Sequence, residues 1–186
     1  MYYIILLLIK TIIAHNDLNI DQKNNLLEIH NNIRNDKTII QASNMIRLSW
    51  SDFLSNEAKN LADTCIFKHH TNNYGQNLYR TSSNNVDNSL VNGVNAWYNE
   101  IEEHKEFILN SNNNKIGVGI YDHVSQLLWA KTSEVGCGYN LCPFGLYLVC
   151  NYSPAGNFIG NEWFISGNIC SNCPNEFPLC EKNSFI

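Results

Sequence analysis

The first half of the chain contains three stretches in which apolar residues recur every three or four positions, with polar residues between them. That period places the apolar side chains on one face of an α-helix. The pattern therefore predicts amphipathic helices over residues 21–34, 51–65 and 88–104, the second capped by Ser51 or Asp52. The apolar faces consist of Leu26, Ile29, His30 and Ile33; of Leu54, Ala58, Leu61, Ala62 and Cys65; and of Val91, Val94, Trp97, Tyr98 and Ile101.

After Gly117 the pattern changes to short runs of valine, leucine and aromatic residues separated by glycine and proline, which predicts β-strands. The runs occupy residues 118–121, 126–130, 134–139 and 146–152. Because helices come first and strands later in one short chain, the sequence predicts an α+β fold with helices packed on an antiparallel sheet.

The segment that follows Gly156 is rich in glycine and carries three cysteines near its end. It offers little apolar surface for a core. We expect a short extension that is held by cystines over residues 161–186.

The N-terminal segment is typical of a secretory signal peptide, with an apolar run that Lys10 interrupts and a small residue, Ala14, before polar sequence. We expect cleavage after residue 14. A run of this length is too short for the roughly 20 apolar residues of a membrane-spanning helix, so the sequence predicts no stable membrane anchor. The remaining chain has the size of one domain, and we expect that domain to occupy residues 15–160.

The charge balance argues against one class of partner. The chain has 17 acidic and 12 basic residues and a formal net charge of −5, without a basic stripe. Such a surface repels phosphate backbones, so we expect no nucleic acid partner.

Seven cysteines are too many for a reduced cytosolic chain that has no catalytic cysteine motif, and they indicate disulfides in an oxidising compartment. The odd number leaves one cysteine without a partner in the chain. Two closely spaced pairs, Cys137 with Cys142 and Cys170 with Cys173, are also compatible with zinc ligands. Because the predicted signal peptide indicates an extracellular destination, we favour disulfides over zinc binding for the cysteines of both pairs.

Three segments carry a family resemblance: DHVSQLLWAKTSEVGCG at residues 122–138, YLVCNYSPAGNF at 147–158, and CIFKHHTNNYGQNLY at 65–79 followed by AWYNE at 96–100. Together they resemble the CAP superfamily of cysteine-rich secretory proteins, antigen 5 venom allergens and plant pathogenesis-related proteins. The resemblance implies a three-layer α-β-α sandwich with an antiparallel central sheet. It also implies three disulfides, namely Cys65–Cys142, Cys137–Cys150 and one pair among Cys170, Cys173 and Cys180.

The resemblance also implies a cleft that is lined by four residues. These are His69, Gln76, Glu100 and His123. Gln76 stands where most of the family has glutamate, which is similar to the antigen 5 branch. Two interpretations remain open: a weak zinc site formed by His69, Glu100 and His123, or a hydrogen-bonded network without an ion. We favour the network, in which we expect the Gln76 amide to donate to Glu100, because Gln76 removes one negative charge from the cleft.

The chemistry of the sequence indicates binding rather than catalysis. No motif with an activated nucleophile is present, and Ser125 merely follows His123 by two positions. Members of the resembled family bind sterols or other lipids, so the resemblance implies a secreted protein that binds sterol, another lipid or an extracellular partner protein and requires no cofactor. The alternative is a metal-dependent hydrolase or protease that uses His69, Glu100 and His123. His30 and His104 have no partner at a suitable spacing and are interpreted as ordinary helix-face residues.

Overall fold

The computed structural model describes residues 16–36, 38, 41–109, 115–116, 122–169 and 171–173. The predicted leader, the predicted strand at 118–121, Cys170 and Cys180 therefore lie outside the described residues. The elements in chain order are α1 (Ile20–Arg34), β1 (Ser49–Trp50), α2 (Asp52–Asp63), β2 (Gly75–Thr81), α3 (Val86–Asn99), α4 (Ile101–Leu109), β3 (Lys115–Ile116), α5 (His123–Leu127), β4 (Glu134–Cys142), β5 (Gly145–Ser153) and β6 (Phe164–Ile165).

The central sheet has the strand order β1-β4-β5-β2. Strands β4 and β5 form a long antiparallel hairpin, and β2 pairs antiparallel with the other edge of β5. The short strand β1 pairs parallel with β4. The expectation of a purely antiparallel sheet was therefore wrong in this one detail, because the chain enters β1 from α1 and runs in the direction of β4.

Helices cover both faces of this sheet. Helix α2 packs on one face, where Leu61 and Ala58 contact Tyr147 and Val149 of β5 in one apolar cluster. Helices α1, α3 and α5 cover the other face, and their apolar residues form the larger core with Leu146, Leu148, Cys150 and Tyr152. Since β5 is covered on both sides, its residues from Gly145 to Tyr152 are all buried. The predicted three-layer α-β-α sandwich is confirmed.

Two glycines allow α2 to lie directly on the backbone of β4. A Cβ atom at Gly136 would come within 2.3 Å of the Ser55 nitrogen, and one at Gly138 within 2.4 Å of the Lys59 nitrogen. Any side chain at either position would push the helix away from the sheet. The two glycines between Val135 and Tyr139 thus set the distance between these layers.

The first two helices agree with the prediction, and the third does not. Helix α1 has Asn19 as its cap, and the Ser51 hydroxyl accepts from the Leu54 N–H at the start of α2. The third predicted helix is in fact two helices, α3 and α4, which are separated at Glu100. The break has a functional consequence, because it frees Glu100 to turn into a cleft.

The strand prediction holds for β4 and β5 but fails at residues 126–130. That segment forms the end of α5 and the turn after it, and its apolar residues Leu127, Leu128 and Trp129 are buried there. Burial on all sides makes a short helical segment look like a strand in sequence. Strand β2 was not predicted, since its polar residues Gln76 and Asn77 interrupt the apolar alternation.

The segment after residue 156 contributes more than an extension. Trp163 and Phe164 belong to the larger core, and Phe164 lies in β6, which pairs with β3. The expectation that this segment forms no core was wrong. Cys173 is disulfide-bonded, as expected for one cysteine of this group.

Two disulfides join elements across the domain, and both have the pairing that the resemblance implied. Cys65–Cys142 links residues 77 positions apart, and Cys137–Cys150 links neighbouring positions of β4 and β5 that are 13 apart. In the chain-entropy account, a loop of about 15 residues contributes roughly 3 kcal/mol and a longer loop more. The zinc interpretation of Cys137 and Cys142 is therefore wrong, because a metal ligand must be a thiolate.

Arg34 is buried at the end of α1, which the sequence did not predict. Its guanidinium donates to five backbone carbonyl oxygens, those of Ile46, Leu127, Trp129, Ala130 and Thr132. Burial lowers the pKa of Arg34 to about 9, so the group stays charged at neutral pH. Carbonyl dipoles, not a carboxylate, therefore stabilise this buried charge.

His30 is also fully buried on α1, and its partners define its protonation. Its Nδ1 lies 2.7 Å from the Leu26 carbonyl oxygen and its Nε2 lies 3.0 Å from the Tyr152 hydroxyl. Because a carbonyl can only accept, Nδ1 carries the proton and Nε2 accepts from Tyr152. Burial outweighs the Leu26 bond and lowers the pKa of His30 to about 4.

Within the described residues, no helix is long and apolar enough to span a bilayer.

We predict that His30 makes the fold sensitive to mild acid. Its pKa lies below the unfolded value of 6.5, so the unfolded chain binds a proton first as the pH falls. The free energy of unfolding should therefore fall by roughly 3 kcal/mol as the pH is lowered from 6.5 to about 4. Urea unfolding at neutral and acidic pH measures this loss. His30→Gln should reduce the loss, and the control His70→Gln, at an exposed histidine, should retain it; an equal loss in all three proteins would contradict the prediction.

Candidate functional site

Four elements bring the predicted residues to one cleft. His69 lies in the loop before β2, Gln76 lies in β2, Glu100 lies between α3 and α4, and His123 begins α5. All four line a cavity of about 540 Å³. Its other lining residues are Asn77, Glu103, Asp122 and Asn157.

Glu100 and His123 form the first pair in the cleft. His123 Nδ1 lies 2.6 Å from Glu100 Oε1, and the Val124 N–H donates to Glu100 Oε2 at 3.0 Å. The Trp97 ring stacks on the imidazole with a centroid separation of 6.1 Å. Partial burial raises the pKa of Glu100, but the bonds from His123 and Val124 outweigh it and leave that pKa below its ordinary value. Glu100 is therefore a carboxylate with both oxygens engaged.

His69 and Gln76 form the second pair. Gln76 Oε1 lies 3.1 Å from His69 Nδ1 and accepts from the His70 N–H at 3.2 Å. Gln76 Nε2 donates to Asn151 Oδ1 at 3.0 Å, and Asn151 Nδ2 donates to the Leu54 carbonyl oxygen at 3.2 Å. A backbone donor at one end and a backbone acceptor at the other fix both amide orientations.

This chain of bonds corrects the expected role of Gln76. Its amide donates to Asn151 of β5 and not to Glu100. Gln76 faces Asn151 across the antiparallel register between β2 and β5, which only the strand pairing reveals. The cleft thus contains two separate networks, one around each histidine.

The two networks determine which atoms face the cleft as free ligands. Each histidine uses Nδ1–H as a donor, to Glu100 in one case and to Gln76 in the other. Neutral imidazole then carries its lone pair on Nε2. Among the residues that the structure describes, no hydrogen-bond partner of either Nε2 is present. The cleft therefore offers two imidazole nitrogens, while Glu100 orients His123 instead of serving as a third ligand.

The types of ligand atom in the cleft suit zinc, but the distances between them are too long for one ion to contact all three residues. A histidine that binds a metal commonly donates its other N–H to a carboxylate or carbonyl, which is the arrangement of both histidines here. However, the ligand atoms of His69, Glu100 and His123 do not all lie within 4.8 Å of one another. Glu103 and Asp122 are the additional carboxylates that line the cavity.

Another set in the described part of the chain does meet that distance: His30, Cys137 and Cys150. The two sulfurs are joined in a disulfide, and both ring nitrogens of His30 are hydrogen-bonded. None of these groups offers a free ligand atom. We therefore assign this set to the core.

Asp122 and Ser125 were not predicted as site residues. Asp122 precedes α5, its N–H donates to Ser125 Oγ at 2.7 Å, and its carboxylate lies 2.6 Å from His104 Nε2. Ser125 Oγ also lies 2.6 Å from Asn157 Oδ1. Aspartate is a favoured residue immediately before a helix, and this signal was available in the sequence. His104, interpreted as an ordinary helix residue, thus connects α4 to the edge of the cleft.

Comparisons with known proteins agree with this fold. The profile described as the cysteine-rich secretory protein family (CAP) matches residues 27–152. The chain is similar to Venom allergen 5 of Tityus serrulatus, with 32% identity over 178 aligned residues, covering 83% of this chain and 42% of that protein. It is similar to Salivary antigen-5 of Dipetalogaster maximus, with 35% identity over 149 aligned residues, covering 71% and 56%.

A solved structure matches over a larger share of its length. The crystal structure of NaASP2 with Zn²⁺ has a TM-score of 0.75 and 26% identity to this chain, covering 89% of this chain and 98% of that one. By contrast, the chain spans only about half the length of the two allergen relatives.

We predict that Gln76→Glu destabilises the protein at neutral pH. The new carboxylate would still accept from His69 and His70, but it would place an oxygen opposite Asn151 Oδ1 and remove a donor. The loss should be about 1–3 kcal/mol and should shrink on acidification, when the carboxyl protonates. Thermal unfolding at neutral and acidic pH measures both effects. Gln41→Glu makes the same change at an exposed position and should be neutral; a Gln76→Glu protein as stable as wild type at neutral pH would refute the network.

Proposed function

Because the chain belongs to the cysteine-rich secretory protein family, we propose that it is a secreted binding protein for a sterol, another lipid or an extracellular partner protein, and not an enzyme. Its disulfides suit an oxidising compartment. The names of its relatives refer to venom and saliva, which supports an extracellular site of action.

The observation that carries this proposal is the state of the cleft residues. Within the described residues, no hydroxyl or thiol is hydrogen-bonded to His69 or His123, so neither imidazole has a nucleophile to activate. Ser125, whose hydroxyl follows His123 by two positions, is fully buried and bonded to Asp122 and Asn157. A fixed polar cleft of this kind suits binding.

A second cavity supports the lipid form of the proposal. It lies between α1 and α3 and has a volume of about 390 Å³, within the range of about 300–1,000 Å³ that small-molecule sites occupy. Its two apolar lining residues, Leu26 and Leu90, are almost fully buried and belong to the core beneath it. Polar groups surround the cavity, and Gln22 Nε2 donates to Asp87 Oδ1 at 2.7 Å on this rim. The apolar lining residues and the polar rim together suit an amphipathic ligand such as a sterol, whose hydroxyl would meet the rim.

The alternative is a metal-dependent hydrolase, and the orientation of the two histidines is the observation that favours it. His69 Nε2 and His123 Nε2 would hold zinc, and Glu103 and Asp122 are further carboxylates that line the cavity. A solved structure of similar fold, NaASP2, contains Zn²⁺, which supports zinc as the metal of this alternative. Bound zinc would polarise a carbonyl or activate water.

Two features make this alternative the weaker one. A catalytic zinc usually has three protein ligands, and among the described cleft histidines two ring nitrogens, Nε2 of His69 and of His123, are free of other bonds. Glu100, one of the three residues that this alternative uses, is fully engaged with His123 and Val124. Zinc-dependent hydrolysis of a peptide or ester that His123→Gln abolishes would decide for the alternative.

We predict that blocking the cavity between α1 and α3 abolishes sterol binding. Asn25 lines this cavity and is exposed, so Asn25→Trp should fill it without disturbing the core. Asn24→Trp places the same side chain on an exposed position of the same helix that does not line the cavity. Titration with a fluorescent sterol should show at least tenfold weaker binding for Asn25→Trp and unchanged binding for Asn24→Trp. Equal binding by all three proteins, or none by wild type, would overturn the sterol form of the proposal.

A further inference from the structure

Two large apolar side chains are exposed at the end of α2. Ile66 and Phe67 are 63% and 41% exposed and follow directly after Cys65. Cys65 has a φ of 53°, in the left-handed region that is unfavourable for a residue with a side chain. Its disulfide to Cys142 ties this strained turn to the sheet. The turn directs two apolar residues to solvent, where water solvates them poorly.

Ring contacts hold Phe67 in place. The Phe67 ring packs on Tyr147 with a centroid separation of 5.4 Å, and the Phe144 ring packs on Tyr147 at 6.2 Å. The Arg80 guanidinium lies 4.9 Å from the Phe67 ring centroid, a cation-π contact. Two separate segments, the turn after α2 and the tip of the β4–β5 hairpin, thus converge on one buried ring.

Positive charge surrounds this apolar surface. Lys68 and Arg80 are both exposed beside Phe67. Asp63, the acidic residue that precedes the turn, is ion-paired with Lys59 on α2. We define Ile66, Phe67, Phe144, Lys68 and Arg80 as the apolar–basic patch. The patch carries two positive charges on a chain whose formal net charge is −5.

We propose that the apolar–basic patch docks the protein on the surface of an anionic lipid bilayer. Exposed apolar side chains flanked by basic residues insert at the boundary between headgroups and acyl chains, while the cations contact anionic headgroups. This property goes beyond ligand binding in a cavity, because it determines where the protein acts.

The shape of the patch favours a bilayer over a protein partner. A stable protein interface buries about 800 Å² on each partner around a packed centre. This patch consists of three apolar side chains on two tight turns, which is small for such an interface. A bilayer needs no complementary surface and accepts protruding side chains. Because the rest of the chain is acidic, attachment should be reversible and depend on the two cations.

Vesicle flotation tests the proposal with the full mature protein. Wild type should float with vesicles of phosphatidylcholine and phosphatidylserine, bind pure phosphatidylcholine vesicles at least tenfold more weakly, and detach as the salt concentration rises. The double variant I66S/F67S should reduce the partition coefficient on the anionic vesicles at least tenfold. K68Q/R80Q should remove the preference for phosphatidylserine.

Phe53→Ser provides the matched control. Phe53 is 67% exposed at the first turn of α2, at the opposite end of the helix from the patch and roughly 18 Å away along it. Its replacement therefore removes an exposed apolar side chain of similar exposure without changing the patch. It should bind vesicles as wild type does. The proposal is overturned by wild type that stays unbound on anionic vesicles, or by a patch variant that folds and binds unchanged. It is also overturned if wild type forms a dimer in ultracentrifugation that I66S/F67S dissociates, because the patch would then be covered by a second copy.

Discussion

The cleft depends on a positive charge buried away from it. Arg34 at the end of α1 donates to the carbonyl oxygen of Ile46 before β1 and to four carbonyl oxygens in the segment between α5 and β4, those of Leu127, Trp129, Ala130 and Thr132. The Trp129 and Ala130 oxygens also accept from backbone N–H groups, whereas the oxygens of Ile46, Leu127 and Thr132 would lose their partner without Arg34, at a cost of about 1–3 kcal/mol each. The guanidinium thus fixes where α5 ends, and α5 begins with His123. One side chain therefore connects the packing of α1 to the position of a cleft imidazole.

The sequence predicted those elements whose packing is one-sided or whose composition is strongly β-forming. Helix α2 shows a clear apolar stripe because one face contacts the sheet and the other meets solvent. Residues 126–130 lack such a stripe, since α5 and the turn after it are buried on all sides, and they were wrongly assigned to a strand. The burial of Arg34 could not be predicted, because an arginine is expected at the surface. Its carbonyl partners come together only in the folded chain.

The cleft residues followed from the family resemblance, and the bonds of the two histidines to Gln76 and Glu100 agree with the favoured network, whereas the partner of the Gln76 amide was not predicted. Gln76 was expected to face Glu100, but β2 pairs with β5 and brings it to Asn151. Glu100 was a metal ligand in the less favoured zinc interpretation, and the break between α3 and α4 directs it to the start of α5. Residue identity therefore predicted the type of chemistry in the cleft. Strand register and helix ends determined which atoms remain free.

The central claim is that two fixed networks leave Nε2 of His69 and of His123 as the free groups of a binding cleft. Nitrogen-15 NMR of the imidazoles reports the tautomers directly, at about pH 8 where an ordinary imidazole is neutral. The account predicts that both histidines carry the proton on Nδ1, with a non-protonated Nε2 that shifts when zinc is added. A neutral imidazole with its proton on Nε2 and none on Nδ1 in either histidine would contradict the account, because the bond to Glu100 or Gln76 would then lack its donor.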